Sequence, residues 1–168
     1  ANDLIYFGDR NGVMRAIHFY PDGPPASPQG EWQQWVKAEW KYSGAGGQIH
    51  STPMVNGDTI VFGCDDSKVY MLKQTLATAN GQTAYTVAPL FAALALGDVV
   101  TATPALSSDG KTAVVPCEDG KVYAFDITTG AISWTYDTGD ILAGSVAIDG
   151  NGVAVIGGGS GALYAIRT

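Results

Sequence analysis

The feature that most constrains the fold is a strand–turn–strand unit that occurs four times along the 168 residues. Its first strand recurs at residues 4–7, 59–62, 112–115 and 152–156, and its second strand at residues 13–17, 69–72, 122–125 and 163–166. The turns between them read GDRNG, CDDSK, CEDGK and GGGSG. Repetition of this kind is typical of propellers and solenoids, in which no unit buries its apolar faces alone.

A further strand precedes the repeated unit at residues 51–55, 102–106 and 144–148, and each copy leads into an Asn-Gly or Asp-Gly turn. Such dipeptides favour the positive φ angles of tight hairpins. A fourth strand follows the unit, so the sequence predicts antiparallel meanders of strands A to D, counted from the inside outward. The predicted order along the chain is B-C-D, A-B-C-D, A-B-C-D and A-B-C.

These meanders predict an all-β fold, namely a β-propeller of about four four-stranded blades that forms a partial or half ring. A β-sandwich is the alternative, but sandwich strands need not repeat in sequence. We interpret residues 1–168 as a single domain with approximate units 1–47, 48–98, 99–140 and 141–168. Two open sheet edges predict pairing with further copies of the chain, with a protein partner, or with the rest of a longer propeller.

Two insertions interrupt the repeat. The first, residues 20–40, carries four prolines that predict a surface loop, followed by Trp32, Trp35 and Trp40. Residues 31–41 are compatible with a short helix or with an extended run into strand D, and the first two tryptophans either pack on the blade or form a ligand platform. The second insertion, residues 87–96, is apolar and compatible with a helix that covers a blade or a partner.

Charge and hydropathy exclude several classes of function. The formal net charge is −7 and the isoelectric point is about 4.5, so binding to a polyanion such as DNA is disfavoured. No apolar run reaches the roughly 18 residues that a membrane-spanning helix needs. The chain opens without a charged and apolar leader, so either a signal peptide has been removed or none existed.

Most residues of chemical interest map to one end of the predicted ring, where the B–C turns and the connections between blades meet. Four acidic residues in these turns, Asp65, Asp66, Glu118 and Asp119, predict a cation site of the oxygen-rich kind that Ca²⁺ prefers. The same residue types are common turn formers, and an acidic docking surface is a third interpretation. The two histidines lie in no Ser–His–Asp context, so we predict no catalytic residue.

The two cysteines, Cys64 and Cys117, occupy equivalent places in consecutive units. Two states stay open for them: a disulfide, as in many exported proteins, or two free and half-buried thiols. A disulfide requires Cα atoms within about 7 Å of one another, a condition that adjacent blades do not automatically meet. Two cysteines without nearby histidines make a poor zinc site.

One stretch of the chain resembles a known family. The pattern A-x-D-x-x-T-G-x-x-x-W falls on Ala124, Asp126, Thr129, Gly130 and Trp134. This pattern resembles the repeat of the quinoprotein-type β-propellers, which include the pyrroloquinoline-quinone (PQQ) dehydrogenases and their cofactor-free relatives. The resemblance implies an exported, often periplasmic protein in which the tryptophan docks between blades and the Asp126–Gly130 turn is hydrogen-bonded. We extend the docking role to Trp40, which aligns with Trp134.

The catalytic apparatus of the PQQ enzymes is not matched. Those enzymes carry a pair of adjacent cysteines, a calcium-binding set of carboxylates and amides, and a catalytic aspartate, whereas the two cysteines here lie one repeat apart. The resemblance therefore implies a cofactor-free relative, with PQQ and calcium as alternatives. The favoured function is a non-enzymatic binding or scaffold module that mediates protein–protein assembly, and the alternative is a fragment of a PQQ-dependent dehydrogenase or an extracellular sensor domain.

Overall fold

The computed structural model describes residues 4–19, 36–79 and 82–168, and all regular structure in these ranges is β. The strands in chain order are β1 (Leu4–Gly8), β2 (Met14–Phe19), β3 (Val36–Tyr42), β4 (Met54–Asn56), β5 (Thr59–Cys64), β6 (Lys68–Ala79), β7 (Gln82–Pro89), β8 (Leu94–Ala95), β9 (Ala105–Leu106), β10 (Thr112–Pro116), β11 (Lys121–Asp126), β12 (Ile132–Asp137), β13 (Ala147–Ile148), β14 (Val153–Gly157) and β15 (Leu163–Arg167). No helix in the described ranges is long and apolar enough to cross a membrane. Trp32 and Trp35, and the proline-bearing part of the first insertion, lie outside the described residues.

The strands form four antiparallel sheets, which we call blades 1 to 4. Blade 1 has the order β1-β2-β3, blade 2 the order β4-β5-β6-β7 with β8 also paired to β6, blade 3 the order β9-β10-β11-β12, and blade 4 the order β13-β14-β15. This confirms the predicted all-β order B-C-D, A-B-C-D, A-B-C-D and A-B-C. Among the described residues, blade 1 therefore has no strand A and blade 4 has no strand D.

The B–C turn has the same conformation in all four blades. One residue of each turn, at the equivalent position of the strand register, has a positive φ: Gly12 at 74°, Ser67 at 62°, Gly120 at 86° and Gly161 at 86°. Three of the four are glycine because a residue without Cβ adopts this conformation without steric cost. The shared turn keeps strands B and C in the same register in every blade, so positions can be compared between blades residue by residue.

The second insertion is extended, and the prediction of a helix-compatible segment at residues 87–96 is wrong. Strand β7 continues to Pro89, where it pairs with Leu72, and Leu94 pairs with Val69 of β6. Leu90 and Phe91 pack against the apolar cluster between blades 2 and 3. The segment does cover a blade, as the sequence suggested, but strand pairing and this packing outweigh its helix propensity. In the first insertion, residues 36–42 run extended as strand D of blade 1.

The hydrophobic core consists of three clusters, one between each pair of consecutive blades. Met14 and Trp40 of blade 1 pack with Phe62 and other residues of blade 2. A second cluster joins blades 2 and 3, and a third joins blades 3 and 4. Blades 2 and 3 therefore bury both of their faces, whereas blades 1 and 4 each bury one face against a described neighbour. Burial between blades is the main source of stability in such an arrangement.

Candidate functional site

The B–C turns and the connections between blades meet at one end of the blade array, as the strand order requires. The Asp65 N–H donates to the Gln48 carbonyl at 3.0 Å, and the Glu118 N–H donates to the Val99 carbonyl at 3.2 Å. Each pair joins the turn of a blade to the connection that enters the same blade. We call this end of the molecule the acidic end, because the turn carboxylates named in the sequence lie there.

In blade 2, the carboxylate of Asp66 holds the turn, strand C and the incoming connection together. Its Oδ2 accepts hydrogen bonds from the Tyr70 hydroxyl at 2.6 Å and the Gly46 N–H at 3.0 Å, and it pairs with Lys68 Nζ at 3.1 Å. Burial acts to raise the pKa of Asp66, but the hydrogen bonds that its carboxylate accepts, led by those from Tyr70 and Cys64, outweigh it, so its pKa lies below the ordinary value of 3.8. Asp66 is thus ionised and structurally engaged.

Blade 3 repeats this arrangement around Asp119. Its Oδ2 accepts from the Tyr123 hydroxyl at 2.6 Å and from the Gly97 N–H at 3.2 Å, and its Oδ1 accepts from the Lys121 N–H at 3.0 Å. Burial acts to raise the pKa of Asp119, and the Tyr123 hydrogen bond leads the contacts that lower it below its ordinary value. We refer to this carboxylate–tyrosine–glycine contact as the interblade lock.

The end blades carry variants of the interblade lock. In blade 1, Arg15 stands at the tyrosine position, and its guanidinium donates to Asp9 Oδ2 at 3.1 and 3.3 Å. In blade 4, the acceptor is Asp140 of the incoming connection, which receives the hydroxyl of Ser160 at 2.5 Å and, more weakly, that of Tyr164 at 3.4 Å. A carboxylate is therefore engaged by its neighbours at this end of all four blades.

The four residues predicted to bind a cation do not converge on one point. Asp66 and Asp119 serve the locks of different blades, Asp65 Oδ2 lies 3.4 Å from His50 Nε2, and Glu118 accepts from the Thr101 hydroxyl at 2.7 Å. In the part of the chain that the structure describes, no group of three or more His, Cys, Asp or Glu side chains is placed to hold a metal ion. A cation site on these residues therefore stays a prediction, and so does the expected lack of a quinone cofactor.

Cys64 and Cys117 are both free and buried, and they lie in different interblade clusters. The structure therefore contains the free-thiol state and not the disulfide that the sequence also allowed. Burial raises the pKa of each thiol to about 11. Because the thiolate is the reactive form, neither cysteine is suited to act as a nucleophile at neutral pH.

The predicted docking tryptophans both lie between blades. Trp40 is buried between blades 1 and 2, and its indole Nε1–H donates to Gln74 Oε1 at 3.1 Å. Gln74 in turn donates to the Tyr6 hydroxyl at 2.7 Å. Trp134 is partly buried against the cluster between blades 3 and 4. The weaker sequence match, Trp40, thus has the more fully buried and hydrogen-bonded position.

The turn of the family-like pattern is hydrogen-bonded around Asp126. Its Oδ1 accepts from the Thr128 N–H at 2.7 Å and the Thr129 N–H at 3.2 Å, and the Gly130 N–H donates to the Asp126 carbonyl at 2.8 Å. Gly130 has a φ of 73°, and a Cβ at this position would lie 2.8 Å from the Phe91 ring. The turn of blade 3 is thereby packed under the second insertion of blade 2.

Sequence reasoning missed one interblade element, the buried aliphatic residue in each connection. Ile49, Val100 and Leu142 are buried at the entrances of blades 2, 3 and 4. Ile49 donates its N–H to the Asp9 carbonyl of the preceding blade at 3.1 Å, and Val100 donates to the Cys64 carbonyl at 3.2 Å. The signal was present, because a glycine precedes each aliphatic residue by three positions.

No protein-family model and no curated protein matches this sequence. Among solved structures, the computationally designed Ika4 protein is 14% identical with a TM-score of 0.70, over 99% of this chain and 86% of Ika4. BamB from Moraxella catarrhalis is 17% identical with a TM-score of 0.69, over 98% of this chain and 43% of BamB. This chain thus spans less than half of BamB, which is a β-propeller. Together with the four sheets described above, these likenesses show that the chain folds as partial β-propeller blades.

Proposed function

We propose that this chain is a non-enzymatic binding or scaffold module that mediates protein–protein assembly through its end blades. One observation carries the proposal: large apolar side chains lie exposed on both end blades, at positions that are buried in the inner blades. Ile5 and Phe7 of blade 1 are exposed, as is Leu163 of blade 4. Large apolar side chains that are exposed at positions built for burial indicate a surface for protein–protein contact.

The chemistry of the acidic end supports a structural role and gives no support to catalysis. The pKa values of Asp66 and Asp119 are lowered below the usual range, whereas a general acid or base needs a pKa near the working pH. Both carboxylates accept hydrogen bonds from a strand C tyrosine and from a glycine N–H of the incoming connection. The two thiols are buried with pKa values of about 11.

An exported location, periplasmic or extracellular, is part of the same proposal. It is supported by the family resemblance of the repeat. Fractionation of cells that produce the protein from its natural gene tests this point, and we expect it outside the cytoplasm.

Site-specific photocrosslinking tests the assembly function. A photoreactive amino acid is placed at Ile5 in one variant and at Leu163 in another, and the matched control carries it at Leu76, an exposed leucine on the outer hairpin of blade 2. We expect protein adducts from the two end-blade positions and none from Leu76. Equal labelling at all three positions, or no adduct at the end blades, would contradict the proposal.

An activity assay tests the alternative hypothesis that the chain is part of a PQQ-dependent dehydrogenase. The purified chain is incubated with PQQ and Ca²⁺, and dye-linked oxidation of alcohols and sugars is followed together with the quinone absorption band. We expect neither turnover nor a bound-quinone spectrum. Either signal, lost on removal of the quinone, would replace the scaffold proposal with an enzymatic one.

A further inference from the structure

The three interblade contacts have the same kinds of residue at equivalent positions, as a comparison based on the shared register of strands B and C shows. On the face toward the following blade, the pair next to the B–C turn is Gly8 with Met14, Gly63 with Val69, and Pro116 with Val122. In these three pairs the side chain from strand C is at most 1% exposed. A small or cyclic residue beside a large apolar one is therefore the pattern of a covered face.

Blade 4 has the same pattern on a face that none of the described residues covers. The corresponding pair is Gly157 with Leu163, yet Leu163 is 74% exposed. A Cβ built on Gly157 would meet no described atom within 4 Å, whereas one on Gly63 would lie 2.4 Å from Val100. The outer face of blade 4 thus has the composition of an interblade contact, but no described residue packs against it.

Blade 1 shows the complementary case on the face toward a preceding blade. Phe7 occupies the position of Phe62, Val115 and Ile156 in the other blades, and Ile5 occupies that of Ile60, Ala113 and Ala154. The six equivalent residues of blades 2, 3 and 4 are at most 1% exposed, while Phe7 is 38% and Ile5 is 49% exposed. Their pairing partners in strand C of blade 1 are Arg15 and Ile17.

The outer face of blade 4 therefore resembles the first side of an interblade contact, and the outer face of blade 1 resembles the second side. We infer that two copies of this chain associate head to tail, with blade 4 of each copy packed on blade 1 of the other. This inference rests on the proposed assembly function and names the partner as a second copy.

The extent of the blade array favours two copies. The chain covers 43% of BamB, so its arc is slightly less than half of a propeller of that size. Two such arcs related by a two-fold axis form a closed ring in which both outer faces of each copy are covered. Closed two-fold assemblies are the commonest form of homo-oligomer, and a closed ring removes the exposed sheet faces.

Sedimentation or light scattering on the purified chain tests the inference directly. We expect a single species with twice the 17.5 kDa chain mass. A monomer at micromolar concentration, or a series of larger oligomers, would overturn the two-copy ring.

Substitutions identify the faces that meet. Leu163→Asp and Ile5→Asp are each expected to weaken the dimer by at least about a hundredfold, because each change falls in both contacts of a two-copy ring. Leu76→Asp is the matched control, since Leu76 is also exposed but lies on neither outer face. Phe7→Ser serves as a second blade 1 variant, and circular dichroism checks that every variant is folded.

Mixing the variants distinguishes head-to-tail from like-to-like association. The Leu163→Asp chain keeps an intact blade 1 face, and the Ile5→Asp chain keeps an intact blade 4 face. We expect each to be monomeric alone and the equimolar mixture to contain mixed dimers, since one of the two contacts is then restored. If Ile5→Asp and Phe7→Ser remain fully dimeric, blade 4 packs on blade 4 and the inference is wrong.

The experiments distinguish a failure of the two-copy inference from a failure of the proposed assembly function. A monomeric chain whose end-blade photoprobes crosslink to a different protein would refute the second copy and leave the assembly function in place. A monomeric chain whose photoprobes yield no protein adduct would refute both.

Discussion

The close approach of blades 2 and 3 at Gly63 gives a quantitative prediction. Gly63 lies in strand B of blade 2, directly against Val100 of the following connection. A Cβ added here would lie 2.4 Å from both Val100 Cγ1 and the Val100 backbone oxygen. The valine side chain can rotate, but the backbone oxygen moves only if the connection itself moves. Because ordinary contact begins near about 3.5 Å, Gly63→Ala requires the two blades to separate locally by about 1 Å.

The expected cost follows from this geometry. Overpacking of a well-filled interior costs about 1–3 kcal/mol, and contact with a backbone atom places Gly63→Ala near the upper end of that range. Replacing glycine by alanine also lowers the conformational entropy of the unfolded chain, which stabilises the folded state by about 0.4–1 kcal/mol. We therefore expect a net loss of about 2–2.5 kcal/mol in the free energy of unfolding. For a chain of this size the melting temperature should fall by about 4–10 °C.

The register supplies a matched control. Gly157 is the equivalent residue of blade 4, and a Cβ there would meet no described atom within 4 Å. Both substitutions are made in the Ile5→Asp chain, which we expect to be monomeric and whose blade 4 face is therefore uncovered. In that background Gly157→Ala should be neutral or stabilising by about 0.4–1 kcal/mol. Urea denaturation at one protein concentration, followed by circular dichroism, measures both variants. If Gly63→Ala unfolds at the same urea concentration as Gly157→Ala, the connection does not pack against blade 2 as described.

Three further predictions concern buried polar groups. Tyr123→Phe removes the 2.6 Å hydrogen bond to Asp119, and pH-dependent urea denaturation should show a loss of about 1–2 kcal/mol. Because the lowered pKa of Asp119 contributes stability that is present above pH 3.8 and lost as pH falls through the folded-state pKa, the difference between wild type and variant should shrink in that acid range. Gln74→Leu leaves the Trp40 indole N–H without its acceptor and should cost about 1–3 kcal/mol in thermal denaturation, whereas an unchanged melting temperature would show that this bond contributes nothing. Both cysteines should resist a thiol reagent in the native chain and react fully after denaturation, and a mass that changes on reduction would show a disulfide instead.

Much of the fold was predictable because it depends on local signals. Alternating apolar runs and the glycine turns mark strands B and C, and the same turn conformation recurs in all four blades. The second insertion was not predictable in this way, since Leu90, Phe91 and Leu94 suit a helix locally. Their conformation is decided by partners distant in sequence, namely Val69 in β6 and the turn at Gly130.

The acidic end was located correctly from the sequence, but the role of its carboxylates was not decided there. From the sequence alone, Asp66 is compatible with a metal ligand and with a turn former. The hydrogen bonds from Tyr70 and Gly46 give it a structural role. One signal was available: the segments CDDSKVY and CEDGKVY have the same Cys, Asp, Lys, Val and Tyr positions. Such agreement at polar positions in two blades indicates a repeated structural contact, whereas a single binding site would need its ligands only once.

The lock in blade 1 takes all of its described hydrogen-bond donors from blade 1 itself. In blades 2 and 3 the turn carboxylate takes one hydrogen bond from the glycine of the incoming connection. Asp9 has no such glycine among the described residues, and the guanidinium of Arg15 together with the N–H groups of Asn11 and Val13 satisfies it instead. The carboxylate of Asp9 is therefore paired at this end of the face. What stays uncovered is the apolar part, and the free energy gained on covering it comes mainly from the burial of hydrocarbon rather than from the pairing of charges.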